Sequence, residues 1–126
     1  LYQAPPVAFM FENLQVYQKA VDFAEQTVTI TEPFPHGDDF LVDQLNRAAV
    51  SIATNLAEGN GRFTKPDRKH FFTIARGSVQ EGVPLLEIAR RRGSLSAEEH
   101  RAMKDALEEI ARMISGLISG LENRQA

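Results

Sequence analysis

A chain of 126 residues with 43% hydrophobic and 25% charged side chains is long enough to bury one core, as an ordinary globular domain does. It contains no cysteine, which excludes disulfides, thiolate metal ligands and cysteine nucleophiles. It also has no apolar run that could cross a membrane, so no membrane partner is expected. The net charge of −3 argues against strong nucleic-acid binding by the chain as a whole. We expect a cytoplasmic protein.

The first eleven residues include two adjacent prolines, which favour an extended backbone, so we expect a flexible arm over residues 1–11. Residues 12–122 are predicted to form a single domain of four helices with short connections. The first helix, over residues 12–30, has an apolar row at spacings of three and four that includes Val21 and Val28. A Pro-Phe-Pro sequence follows and stops this helix.

The second helix is predicted over residues 40–58, with Asp38 or Asp39 as its N-cap. Its apolar row is flanked by alanines at a spacing of four, which would let a neighbouring helix come close. Gly59 and Gly61 follow the apolar row. We expect both glycines to end the helix, because glycine readily adopts positive φ at a helix C-terminus.

The third and fourth helices are predicted over residues 65–91 and 97–122. Thr64 is the expected N-cap of the third helix, and Pro84 is expected to kink it by removing one amide donor. The Ser-Ala-Glu-Glu sequence before the fourth helix predicts a capping box. Four helices with short connections favour an all-α fold, an antiparallel up-down-up-down four-helix bundle.

Polar side chains recur about one turn apart on the second helix, and a serine and a glutamate fall beside the buried face of the third. A buried carboxylate needs a cation, so we expect Arg47 to pair with Glu81, whose removal would then cost about 3–5 kcal/mol. This predicted structural polar network would fix the helix register, and a ligand site is the alternative. Its residues are Arg47, Ser51, Asn55, Glu58, Arg62, Ser78 and Glu81.

Nothing in the sequence spells out a catalytic or metal site. His36, His70 and His100 are scattered over three elements, and none has a partner at a metal-ligand spacing. There is no nucleophile–base pattern, phosphate-binding loop or dinucleotide fingerprint. We therefore expect no enzymatic activity, no catalytic residue, no metal and no cofactor.

Positive charge is concentrated in residues 60–92, which hold eight bases against three acids, a net of +5. The rest of the chain has six bases and fourteen acids, a net of −8. Bases beside phenylalanines suit nucleic acid, since they neutralise phosphates while the rings stack on bases. A solvated helix face is the simpler interpretation. The candidate nucleic-acid-binding residues are Arg62, Lys65, Arg68, Lys69, Arg76, Arg90, Arg91 and Arg92.

Two stretches, “QLNRAAVSIATNLAEGNGR” and “FFTIARGSVQE”, carry a specific combined pattern. Together they resemble the 23S rRNA-intervening sequence protein family, with the pattern R-A-x-x-S-I-x-x-N-[IL]-A-E-G-x-G-R followed by F-x-x-x-A-x-G-S-x-x-E. The matching positions are Arg47, Ala48, Ser51, Ile52, Asn55, Leu56, Ala57, Glu58, Gly59, Gly61, Arg62, Phe71, Ala75, Gly77, Ser78 and Glu81.

The resemblance implies a four-helix bundle that assembles as a ring-like homopentamer, in a family without an established enzymatic activity. It therefore implies a non-enzymatic oligomeric scaffold or interaction protein, whose partner is itself. Similar accessory proteins of diversity-generating retroelements bind a reverse transcriptase and nucleic acid. The alternative is thus an accessory protein that binds RNA or DNA and acts with an RNA or a reverse transcriptase. Those relatives are strongly basic, whereas this chain is acidic overall.

Overall fold

The computed structural model describes residues 9–123, which contain four α-helices and no strand. The third helix begins and ends at the predicted residues, and the first begins three residues later than predicted. Two short 3₁₀ helices, Met10–Asn13 and His36–Asp38, precede the first and second α-helices. The α-helices are α1 (Gln15–Thr31), α2 (Asp39–Asn60), α3 (Lys65–Arg91) and α4 (Ala97–Asn123).

The four helices form a bundle in which each helix contacts its neighbours in sequence. α1 also contacts α4, while in the diagonal pairs no two Cα atoms of residues 9–123 come within 8 Å of each other. Contacts between α2 and α3 run in reversed order, since Ser51 meets Ser78 and Gly59 meets the ring of Phe72. Between α3 and α4 the same order is given by the pairs Lys69–Glu122, Arg76–Ser115 and Glu87–His100.

One continuous apolar core lies between the helices, and burying each large aliphatic side chain contributes about 1.5–3 kcal/mol. The α1 face was predicted incorrectly, because Val21 and Val28 are 41% and 51% exposed. Two threonines on the buried face disguise the pattern. Thr27 and Thr31 donate to the carbonyl oxygens four residues earlier, each at 2.7 Å, and so bury their hydroxyls without loss of hydrogen bonds.

Side-chain caps begin α3 and α4, as the sequence predicted. The Thr64 hydroxyl accepts the amide of Asp67 at 3.2 Å. Ser96 and Glu99 form a reciprocal capping box, with the Glu99 amide donating to Ser96 Oγ at 3.0 Å and the Ser96 amide to Glu99 Oε1 at 2.9 Å. Both helices therefore start with their free amide donors satisfied locally.

The end of α2 differs from the prediction. Gly59 lies inside the helix, whereas Gly61 is its C-cap, as predicted, but with φ −84°. Neither glycine adopts positive φ. A Cβ on Gly59 would lie 2.7 Å from two ring carbons of Phe72 and 3.1 Å from Cβ of Phe71. Close packing against α3 therefore requires this glycine. Among the described residues, Gly93 alone has positive φ, at +83°.

The beginning of the described chain, which overlaps the end of the predicted arm, makes local contacts. The Phe9 amide donates to Glu12 Oε1 at 2.9 Å. The Phe11 ring packs edge-on against Tyr17 with centroids 4.9 Å apart. Residues 1–8 of the predicted arm lie outside the described residues.

Candidate functional site

The inner side of the α2–α3 contact holds a small polar cluster. The hydroxyl oxygens of Ser51 and Ser78 are 2.8 Å apart, and Ser78 is only 8% exposed. Asn55 donates from Nδ2 to the Ser51 hydroxyl at 3.1 Å and to its carbonyl oxygen at 2.8 Å. These three side chains, the inner polar cluster, satisfy one another and hold α2 and α3 in one register.

The predicted Arg47–Glu81 pair is absent. Arg47 Nε lies 3.2 Å from Asp43 Oδ2 on its own helix, where both side chains are exposed. Glu81 is exposed and makes no hydrogen bond or ion pair within the described residues. Each residue turns a helix by about 100°, so Glu81 lies about 60° further round than Ser78, on the solvent side. The spacing correctly placed Glu81 beside the buried face of α3, but it did not show that the side chain is exposed.

Glu58 and Arg62 form a second exposed pair at the end of α2, with Nη2 and Oε2 2.8 Å apart. The Arg62 guanidinium also lies 4.5 Å from the centre of the Phe71 ring, a cation–π contact. Arg62 therefore fastens the turn between α2 and α3. The predicted network thus divides into the inner polar cluster and a set of exposed residues: Arg47, Glu58, Arg62 and Glu81.

Most of the candidate nucleic-acid-binding residues already have partners. Five of the eight pair with carboxylates: Arg62 with Glu58, Lys69 with Glu122, Arg90 and Arg91 with Glu87, and Arg92 with Asp38. Arg68 donates to the carbonyl oxygen of Arg62 at 2.8 Å, and Arg76 to the Ser115 hydroxyl at 3.4 Å. Lys65 also interacts with a neighbouring group. Neutralised bases attract phosphates less strongly than free ones.

The eight bases also do not form one patch on a single copy. Arg68 and Arg90 are 22 residues apart on the same helix, which corresponds to about 33 Å along its axis. One group therefore lies near the start of α3 and the other near its end, with Arg76 between them against α4.

A buried carboxylate that the sequence suggested only as an N-cap ties together two connections. Asp38, 1% exposed, accepts hydrogen bonds from the Ser94 hydroxyl and, at 2.5 Å, from Arg92 Nε. The hydrogen bond from Ser94, helped by the hydrogen bond and charge of Arg92, holds its pKa below 3.8 against the opposing effect of burial. Its side chain makes no cap bond to α2. These three residues, the Asp38 clasp, join the start of α2 to the end of α3.

Glu87 carries a second charged cluster near the end of α3. Hydrogen bonds from Arg90, which has the larger effect, and from Arg91 lower the pKa of Glu87 to about 2. Its carboxylate in turn raises the pKa of Arg90. His100 Nε2 lies 3.4 Å from Glu87 Oε1, which links α3 to the first turn of α4.

Among residues 9–123, no group of three or more histidines, aspartates and glutamates is placed to hold a metal ion. None of the helices in this part of the chain combines the length and apolarity needed to cross a membrane.

Four helices closed around one core, with a polar cluster between α2 and α3, define a four-helix-bundle protein. The family model described as 23S rRNA-intervening sequence protein matches residues 12–116, and the chain belongs to that family. This confirms the family prediction.

Among solved structures, the chain is similar to a protein of unknown function from the S23 ribosomal protein family of Bacteroides thetaiotaomicron VPI-5482. The TM-score is 0.78 at 21% sequence identity, over 87% of this chain and 99% of that one. The two proteins therefore share the fold. No curated protein matches this chain.

Proposed function

We propose that this chain is a non-enzymatic, cytoplasmic scaffold that acts as a ring-like homo-oligomer, a pentamer as the family resemblance implies. The observation that supports the proposal is the set of large apolar side chains left on the outside of the bundle. A monomer would keep them in water, whereas apolar contact contributes about 25 cal/mol for each Å² buried. These side chains are between 38% and 57% exposed, and they are Val21, Val28, Phe40, Val50, Ile74 and Ile88.

The proposed arrangement within each copy is the antiparallel up-down-up-down bundle. The reversed order of contacts between α2 and α3, and between α3 and α4, supports it. In such a bundle α1 and α4 lie on one side and α2 and α3 on the other.

Charge differs between these two sides. Residues 12–32 and 97–123, which contain α1 and α4, have four bases and ten acids, a net of −6. Residues 38–92, which contain α2 and α3, have nine bases and seven acids, a net of +2. Surfaces of opposite sign favour a head-to-tail contact between copies, and such contacts close into rings when the rotation allows.

Native mass spectrometry tests the oligomer directly. The expected mass is several times 14.0 kDa at micromolar concentration, and a monomer there would remove the proposal. Ile74→Asp should lower the oligomeric mass, because it places a charge on an apolar contact. Thr73→Asp is the matched control, since Thr73 is also exposed on α3 and should leave the mass unchanged.

Nucleic-acid binding is the second candidate function, as an accessory protein that acts with RNA or a reverse transcriptase. One observation favours it. Phe63 is 101% exposed in the turn between α2 and α3, within six residues of Arg62, Arg68 and Lys69. Stacking a nucleic-acid base on such a ring contributes about 1–3 kcal/mol.

A titration with single-stranded RNA and DNA at two salt concentrations tests this second function. Binding should weaken steeply as salt rises, because phosphate contacts release counterions. Phe63→Ala should weaken binding about tenfold, whereas Phe40→Ala, which removes an exposed ring at the other end of α2, should not. Absence of binding at low salt would exclude this function.

A further inference from the structure

A groove of about 460 Å³ opens between the end of α1 and the beginning of α4. Ile30, Pro33, Ala102 and Met103 supply its apolar surface, and Glu25 and Glu99 lie at its edge. It is therefore an apolar recess on the acidic side of the bundle, of a size that can take large side chains.

The opposite side of the bundle presents two protruding apolar side chains. Phe40 is 57% exposed at the start of α2, and Ile88 is 42% exposed near the end of α3. Ser51 and Ser78 fix the level at which α2 and α3 meet. From there Phe40 lies about 16 Å and Ile88 about 15 Å towards the same end, at a rise of 1.5 Å per residue. The two side chains thus lie at the same level.

Groove and side chains lie at the same end of the bundle. Asn46 donates to the Thr31 hydroxyl at 3.2 Å, which places the end of α1 beside the first turns of α2. His100 lies against Glu87, which places the start of α4 beside the end of α3. In a ring whose axis runs along the bundle, neighbouring copies meet at equal levels, so this groove would face Phe40 and Ile88.

We propose, resting on the oligomer proposed above, that the α1–α4 groove of one copy receives Phe40 and Ile88 of the next. The occupant is a second copy of this chain because size, level and charge agree. Large side chains meet a recess bordered by Ala102 and Pro33, and the side with a net charge of +2 meets the side with −6. The contact is head-to-tail and repeats around the ring.

Cysteine crosslinking tests this contact on a clean background, because the chain has no cysteine. Phe40→Cys and Ala102→Cys are made as two single variants and one double variant. Both positions are exposed, so the fold should survive, and circular dichroism checks it. A short bis-maleimide is the crosslinking reagent. The matched control pairs Phe63→Cys, at the opposite end of α2, with Ala102→Cys.

A mixture of the two single variants, allowed to exchange subunits, should give covalent dimers, whereas each single variant alone should give none. The double variant should give a ladder that ends at the ring size. The control mixture should crosslink at least tenfold less. Crosslinking of Phe40→Cys with itself would replace the head-to-tail contact with a two-fold one and overturn the proposal.

Two further outcomes separate this inference from the oligomer itself. An oligomeric mass without crosslinks in the mixture or the double variant would overturn the groove assignment and leave the oligomer standing. A monomeric mass would overturn both.

Discussion

The two sides of the bundle are packed differently. Along α2 and α3, Gly59 brings the backbone against the Phe72 ring, and Ser51 and Ser78 meet at 2.8 Å inside the contact. Along α1 and α4, a groove of about 460 Å³ remains open. The residues of the family pattern lie on α2, on α3 and in the turn between them, which is the tightly packed side. Part of the pattern fixes the register of the two helices, and part of it faces outwards.

Gly59→Leu should have the largest effect, because it breaks the tight side. Its Cβ would already lie 2.7 Å from a Phe72 ring that is 3% exposed, so the helices must separate. We expect a loss of about 3 kcal/mol in the free energy of unfolding, measured by urea denaturation. Gly116→Ala on α4 is the control and should gain up to about 1 kcal/mol, since outside the local backbone of its own helix no atom lies within 4 Å of its Cβ position. Equal effects of the two changes would contradict the comparison.

Asp38→Asn should have the next largest effect and should depend on pH. Folding lowers the pKa of Asp38 below 3.8, so the ionised clasp stabilises the protein fully above that pH and progressively less below it. At pH 7 the variant should therefore unfold at a lower urea concentration than the wild type. The difference between the two urea concentrations should become smaller towards pH 3. Asp39→Asn, at an exposed neighbour, should show neither effect. A difference in urea concentration that stays constant with pH would mean that the charge of the carboxylate does not stabilise the clasp.

Ser78→Ala should cost about 1 kcal/mol, because it removes one hydrogen bond of the inner polar cluster. Ser51 keeps Asn55 as a partner, so no buried hydroxyl is left unpaired. The double variant with Ser51→Ala should destabilise by less than the sum of the single changes. Strict additivity would show that the two hydroxyls do not interact, and Ser119→Ala is an exposed control.

Glu81→Ala should have the smallest effect on stability, within about 0.5 kcal/mol. The side chain is exposed and has no partner within the described residues, so its removal uncovers no buried charge. A loss near the 3–5 kcal/mol first expected from a buried pair would reinstate that pair. Urea denaturation decides between the small and the large loss of stability, provided that the wild type and the variant are compared in the same oligomeric state.

The helices and the starting caps of α3 and α4 could be predicted because both signals are local. Ser96 and Glu99 are three residues apart, and apolar periodicity needs only a few turns. The depth of Glu81 could not be predicted, because a rotation of about 60° separates a core position from an exposed one.

The Asp38 clasp was missed for a different reason. Asp38 and Arg92 are 54 residues apart, and only the fold brings them together. From the neighbouring sequence alone, Asp38 is an acidic residue just before a helix, which suggests an N-cap. Contacts of this length carry no periodic signal.

Pro84 gives α3 an uneven resistance to local opening. Proline has no amide hydrogen, so the Gln80 carbonyl lacks its usual helical donor and the last two turns of α3 are less firmly joined to the rest. The Asp38 clasp and the contact of His100 with Glu87 tie those turns to other elements. We therefore expect the amide hydrogens at the end of α3 to exchange as a separate unit, held by side chains from other elements as well as by the helix backbone.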